Sequence, residues 1–176
     1  MSRILVVYAS KHGSTQDVAL AIADQLSEHG HGVAVFSADV APAPSGYDGV
    51  VVGGSLYMGR WHADAGLYLD QHRNGLSSLP LAVFALGPLT LDEKNVADSR
   101  AQLDAALAKF PDLEPDLVCV FGGVVEPDEL RFPFNRMPET DARDWTAIRA
   151  WTADAAALFG KTAAARSLEM SRSGTR

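Results

Sequence analysis

The chain has 176 residues, 47% of them hydrophobic and 21% charged, with a net charge of −7 and a single cysteine. That length lets one domain bury its core unaided, and lone Cys119 excludes an intrachain disulfide, a Cys-x-x-Cys redox pair and a cysteine cage for zinc or an iron–sulfur cluster. Dispersed basic residues on an acidic chain argue against a nucleic-acid partner, and no apolar run approaches the roughly 18 residues of a membrane span.

In chain order, Arg3–Ala9 is a continuous apolar run, the pattern of a strand buried on both faces. The segment Ser10-Lys11-His12-Gly13-Ser14-Thr15 follows, and residues 15–29 then place Val18, Ala19, Ile22, Ala23 and Leu26 on one helical face. A strand feeding a hydroxyl-rich turn and a helix makes a phosphate cradle. The first amides of a helix lack intrahelical acceptors and sit at the positive end of its dipole. Ser10, Ser14 and Thr15 add hydroxyl donors, Gly13 lets a ligand approach the backbone, and Lys11 is the nearby fixed charge. The turn itself carries neither the Gly-Lys-Ser/Thr of a nucleotide-triphosphate loop nor the G-x-G-x-x-G of a dinucleotide fold. An ordinary strand-to-helix turn with a hydroxyl cap would use the same residues.

Gly30 and Gly32 end the first helix, and residues 33–36, 47–53, Leu81–Leu86 and Leu117–Phe121 read as four further strands. Helices are predicted over residues 63–73, 96–109 and 144–159, the last with Trp145, Ile148, Trp151, Ala155 and Leu158 inward. His62 opens the second of the four helices as a surface or capping residue, and no histidines gather into a metal-ligand cluster. Residues 1–162 form one domain, and residues 163–176, small, polar and net basic, read as a flexible tail. Five strands separated by helical connections demand a doubly wound parallel sheet, whose ligands bind at the carboxyl ends of the strands where strand order reverses.

Three loops therefore converge. After the third strand, Gly53-Gly54-Ser55-Leu56-Tyr57-Met58-Gly59-Arg60-Trp61 offers paired glycines that let the backbone pass close to a planar ring, with Tyr57, Met58 or Trp61 against it. A loop packing its own apolar side chains on the sheet is the alternative. After the fourth strand comes Leu86-Gly87-Pro88-Leu89-Thr90; after the fifth, Gly122-Gly123 leads into residues 126–143, which contain Arg131, Phe132, Phe134, Arg136 and Met137. So long a segment is a candidate lid or partner surface, or else a surface loop with both phenylalanines buried.

The turn at residues 10–15 resembles the first loop of the flavodoxin family, Ser/Thr-x-Thr-Gly-x-Thr, with His12 at the usual hydroxyl position. A non-hydroxyl residue there, Gly54-Ser55 after the third strand and Asp144-Trp145 opening the final helix are similar to the flavodoxin-like subgroup that includes menaquinone-dependent protoporphyrinogen dehydrogenase. The resemblance covers about residues 3–160. It implies an α/β flavodoxin-like fold in three layers, with five parallel strands in the order 2-1-3-4-5, and flavin mononucleotide (FMN) as cofactor. Ser10, Lys11, His12, Gly13, Ser14 and Thr15 would hold the phosphate. Ser55, Leu56, Tyr57, Met58 and Gly59, with Leu86, Gly87, Pro88, Leu89, Gly122 and Gly123, would flank the ring. The second loop lacks the family's stacking tyrosine, so one ring face is open to a second planar molecule such as a quinone.

No catalytic residue and no metal is implied. Three functions follow: an electron carrier between redox partner proteins or small acceptors; a flavin-dependent quinone reductase or porphyrinogen dehydrogenase with residues 126–143 as lid; and a binding module that kept the fold without the flavin. A phosphorylatable receiver domain is disfavoured, because Tyr8-Ala9-Ser10 and Gly53-Gly54-Ser55 carry no carboxylates. The N-terminus has no secretion pattern, so a cytoplasmic protein without stable membrane insertion is expected, with homodimer formation left open.

Overall fold

The computed structural model describes residues 1–173. In chain order its elements are β1 (Arg3–Ala9), α1 (Ser14–Glu28), β2 (Gly32–Ser37), β3 (Gly49–Tyr57) and β4 (Arg60–Trp61). There follow α2 (Ala63–Gln71), α3 (Arg73–Leu76), β5 (Leu81–Leu86), α4 (Glu93–Leu107), β6 (Leu117–Phe121), β7 (Val124–Val125), β8 (Thr140–Asp141) and α5 (Trp145–Ser173). Five strands form a parallel sheet in the order β2-β1-β3-β5-β6, the predicted order once the short β4 is set aside. Val6 sits between Val35 of β2 and Val51 of β3.

The period-two alternation of a strand divides β1 between two cores. Ile4 and Val6 pack with Val18, Ile22 and Leu26 of α1 and with Ile148, Trp151 and Phe159 of α5. Leu5 and Val7 pack with Tyr68 and Leu69 of α2 and Leu103 of α4. Helices thus cover both faces, which explains why the strands read as continuous apolar runs. The chain passes from β1 outward to β2 and then returns to the other side of β1 as β3, so strand order reverses between β1 and β3.

Several expectations change. The third strand runs past Gly53 to Tyr57 and turns back through Met58 and Gly59, both at positive φ (49° and 76°), to pair Tyr57 with Arg60 of β4. The "loop" is a two-residue hairpin. The helix placed at 96–109 begins at Glu93, because the Asp92 carboxylate accepts the Asn95 amide at 3.0 Å and caps it. Residues 126–143 carry two 3-10 turns, Pro127–Glu129 and Phe134–Arg136, and end in β8, which pairs with β7. The closing helix runs on to Ser173, through residues expected from 163 as a flexible tail; the alanines at 163–165 favour helix by intrinsic propensity. Residues 174–176 lie outside the described residues. Trp145, expected inward, is 36% exposed and lies under the Arg143 guanidinium, 5.0 Å from ring centroid to Cζ. Among the described residues, no helix is long and apolar enough to cross a membrane.

Candidate functional site

The carboxyl ends of β1, β3, β5 and β6 surround a cavity of about 580 Å³, within the range of sites for cofactor-sized ligands. Its floor is the turn between β1 and α1. Gly13 is the N-cap of α1, at φ 92°, and offers no side chain to the first-turn amides. The other helices of nine or more residues are capped from within: α2 by His62 Nδ1, which accepts the Asp64 amide, α4 by Asp92, and α5 by Asp144, which accepts the amides of Thr146 and Ala147. In α1 the first-turn amides have no side-chain cap, and the positive end of the helix dipole favours an anion there.

The Gly13 amide itself is spent internally, donating to Ser10 Oγ at 2.9 Å, which leaves the Ser10 hydroxyl hydrogen to donate elsewhere. Ser14, His12 and Lys11 line the cavity. Thr15 is fully buried, and its Oγ1 has no hydrogen-bond partner among the described residues. A Cβ at Gly13 would meet no atom within 4 Å, so glycine is required there by φ alone. Gly13→Ala is therefore expected to lower stability by about 1–2 kcal/mol, and Gly13→Asn by less, since asparagine tolerates the left-handed region. Urea denaturation of the two variants checks this.

The second wall is the β3–β4 hairpin. Ser55, Leu56, Tyr57, Met58 and Gly59 all face the cavity, and the buried Ser55 Oγ also lacks a partner among the described residues. Tyr57 is 39% exposed and carries Lys11 Nζ over its ring at 4.3 Å from the centroid. Trp61 does not take the expected part. It is buried on the α2 side of the sheet, and its Nε1 donates to the Gly54 carbonyl at 3.1 Å. The planar rings admitted by the paired glycines are the protein's own: a Cβ at Gly54 would lie 2.7 Å from the Trp61 indole nitrogen, and one at Gly53 would lie 2.0 Å from the Phe84 ring.

Leu86, Gly87, Pro88 and Leu89 form the third wall, continued by Thr90 and by Asn95, Asp98, Ser99 and Gln102 of α4. Sequence reasoning does not single out these α4 residues; only Asn95 precedes the predicted start of the helix at 96, and the Asp92 cap is the signal for that earlier start. Thr90 donates its hydroxyl to Asp92, and Asn95 Nδ2 donates to Thr90 Oγ1 at 2.7 Å and to Asp92 Oδ2 at 2.6 Å. The Thr90 hydroxyl, followed by the Asn95 amide, pulls the Asp92 carboxyl down to about 2.

Residues 122–143 close the fourth side as an arch. Gly123 lines the cavity and stitches the second loop to the arch: its amide donates to the Pro88 carbonyl at 2.8 Å, and its carbonyl accepts the Ala142 amide at 3.0 Å. Gly122 is not among the lining residues; a Cβ there would lie 1.8 Å from the Ala142 carbonyl oxygen, so its role is packing. Glu126, Leu130 and Met137 of the arch face the cavity, whereas Phe132 is 69% exposed beneath the Arg136 guanidinium. Arg143 ties the foot of the arch to the floor. It donates to Asp141 at 2.6 Å and to Asp17, in the first turn of α1, at 3.2 Å. Its hydrogen bond holds the Asp141 carboxyl below the ordinary range.

Most of the sequence-predicted residues thus share one cavity, with Ser10, Gly13 and Thr15 in the turn beneath it and Gly122 behind the arch. The arrangement offers neutral donors and one lysine at a helix end, and beside them an apolar slot roofed by the arch. It can hold an anion attached to a flat apolar body.

A family model described as flavodoxin domain matches residues 5–137. Protoporphyrinogen IX dehydrogenase (quinone) of Escherichia coli (strain K12) is 29% identical over 91 residues, 48% of this chain and 48% of that protein, so the match spans about half the relative's length. The protein of the same name from Leishmania major is 27% identical over 182 residues, 89% of this chain and 75% of that protein. Among solved structures, oxidised Flavodoxin 1 from Bacillus cereus superposes with a TM-score of 0.56 at 18% identity, covering 91% of this chain and 98% of that one. Rubredoxin oxygen:oxidoreductase from Desulfovibrio gigas gives 0.61 at 14% identity, covering 92% of this chain and 37% of that one. Structures so distant in sequence report the shared fold.

Proposed function

The chain belongs to the flavodoxin domain family, and from that membership we propose that it binds FMN in the 580 Å³ cavity and passes electrons between redox partners. The observation that carries this reading is the uncapped start of α1 beside the buried, unpartnered Thr15 hydroxyl. A bound flavin would supply the redox chemistry, accepting and releasing electrons at its ring. The chain's own residues do the rest. Ser10, Ser14 and Thr15 would donate hydroxyls and the first amides of α1 N–H groups to the phosphate, and Lys11 would add charge. Ser55 would offer a hydroxyl to the ring, and Leu56, Leu89 and Tyr57 would shield it from water.

One observation favours a second reading, in which a quinone-like molecule is reduced at an open ring face: Leu130 and Met137 bring the arch over the cavity as a lid. The names of the curated relatives point the same way. Saturable turnover of menadione with a reduced donor supports this reading, and turnover that rises linearly with menadione supports a carrier.

Titration of the purified protein with FMN, followed by flavin fluorescence, tests both. Quenching is expected, and Ser14→Ala with Thr15→Val should weaken binding by about tenfold or more, the loss of charge-assisted hydrogen bonds. No quenching in the unmutated chain would sink both flavin readings and leave a cofactor-free binding module.

A further inference from the structure

We propose that Lys11 is a phosphate-operated latch on Tyr57, so that the site admits a flat aromatic body readily only when that body carries a phosphomonoester. The inference rests on the flavin reading above and adds a device to the same site. Lys11 leaves the turn after β1, and Tyr57 ends β3, so the two stand on opposite banks of the crevice where strand order reverses. Nζ bridges it, 4.3 Å from the ring centroid, and both side chains line the cavity. The Tyr57 ring is thereby covered on one face by a hydrated cation.

An ammonium is a compact charge on a flexible stem, and an exposed cation–π contact is weak beside its pairing with a phosphate that carries close to two negative charges. Two acceptors compete for Nζ once an anion occupies the uncapped end of α1, where the Thr15 hydroxyl waits unpartnered. The anion wins, and the Tyr57 face is released to the ring that follows. A ring without a phosphate must displace the cation unaided. The latch therefore adds to the discrimination that the phosphate's own hydrogen bonds supply.

The test is titration of the full chain and its Lys11→Met variant, which keeps the stem and removes the charge, with FMN and with riboflavin. FMN is expected to bind roughly tenfold more weakly to the variant, and riboflavin a few-fold more tightly, the opposite signs that mark a latch. In a Tyr57→Leu background, Lys11→Met should no longer improve riboflavin binding. Equal weakening of both ligands, or an unchanged riboflavin affinity, overturns the latch while leaving the flavin reading intact. Should the unmutated chain bind no FMN, the flavin reading falls. The latch is then judged by the Lys11 Cε resonance, which the Tyr57 ring displaces and which must move toward that of free lysine when inorganic phosphate is added. No movement overturns it.

Discussion

Gly53→Ala is expected to lower the melting temperature by roughly 6–12 °C, which corresponds to about 3 kcal/mol in a chain of this size. The added Cβ would lie 2.0 Å from the Phe84 ring. That ring is fully buried, with Phe121 at 5.9 Å and Trp151 at 6.0 Å between centroids, so it has nowhere to retreat. The backbone cannot yield either, because Gly53 is paired with Tyr8 on one side and with Phe84 itself on the other. An aromatic ring laid over a strand glycine is a packing unit, and the methyl group destroys it. Calorimetry checks the value, and Phe84→Leu in the same chain should recover part of the loss by vacating the space. A fall of less than about 2 °C would show that the ring has room to move.

Gly122→Ala is expected to have a comparable effect by a different route, costing about 3 kcal/mol and weakening FMN binding by about tenfold. Here the added Cβ meets backbone, 1.8 Å from the Ala142 carbonyl oxygen and 2.4 Å from its carbon. Relief requires β8 to move away from β6, which breaks the bond from the Ala142 amide to the Gly123 carbonyl. The arch then loses its foot, and Leu130 and Met137 leave the cavity wall. Gly123→Ala is the milder comparison for stability, since its Cβ would come 3.0 Å from the Gly87 oxygen, a tight contact but far short of the overlap at 122. Thermal unfolding and flavin titration of the pair read both effects. Equal behaviour of the two variants would show that position 122 holds no special contact.

Much of this was legible in the residues. Uninterrupted apolar runs marked the five strands, because burial on both faces erases alternation, and the hydroxyl-rich turn after the first of them marked the anion end. The glycine pair at 53–54 was legible as a place where something flat comes close, but sequence does not say whose ring it is. Phe84 lies 31 residues away in the chain and reaches Gly53 only through the register of β3 and β5. Trp61 was drawn away from the cavity by a hydrogen bond to Gly54, a contact that depends on the hairpin closing at Met58 and Gly59. Residues 126–143 were legible as a candidate lid or partner surface, but the pairing that shapes them was not, because β7 and β8 have two residues each, too short to show any period. The polar α4 residues over the cavity carry no mark of their own; topology alone brings them there.

Arg143 reaches across 126 positions of the chain to Asp17 while it also grips its neighbour Asp141. One guanidinium joins the last strand of the arch to the first turn of α1, so the roof of the cavity is tied directly to its floor. Whatever orders the floor has already met part of the entropic cost of ordering the roof. By thermodynamic reciprocity, a ligand gripped by the roof would strengthen the hold of the floor on an anion by the same factor.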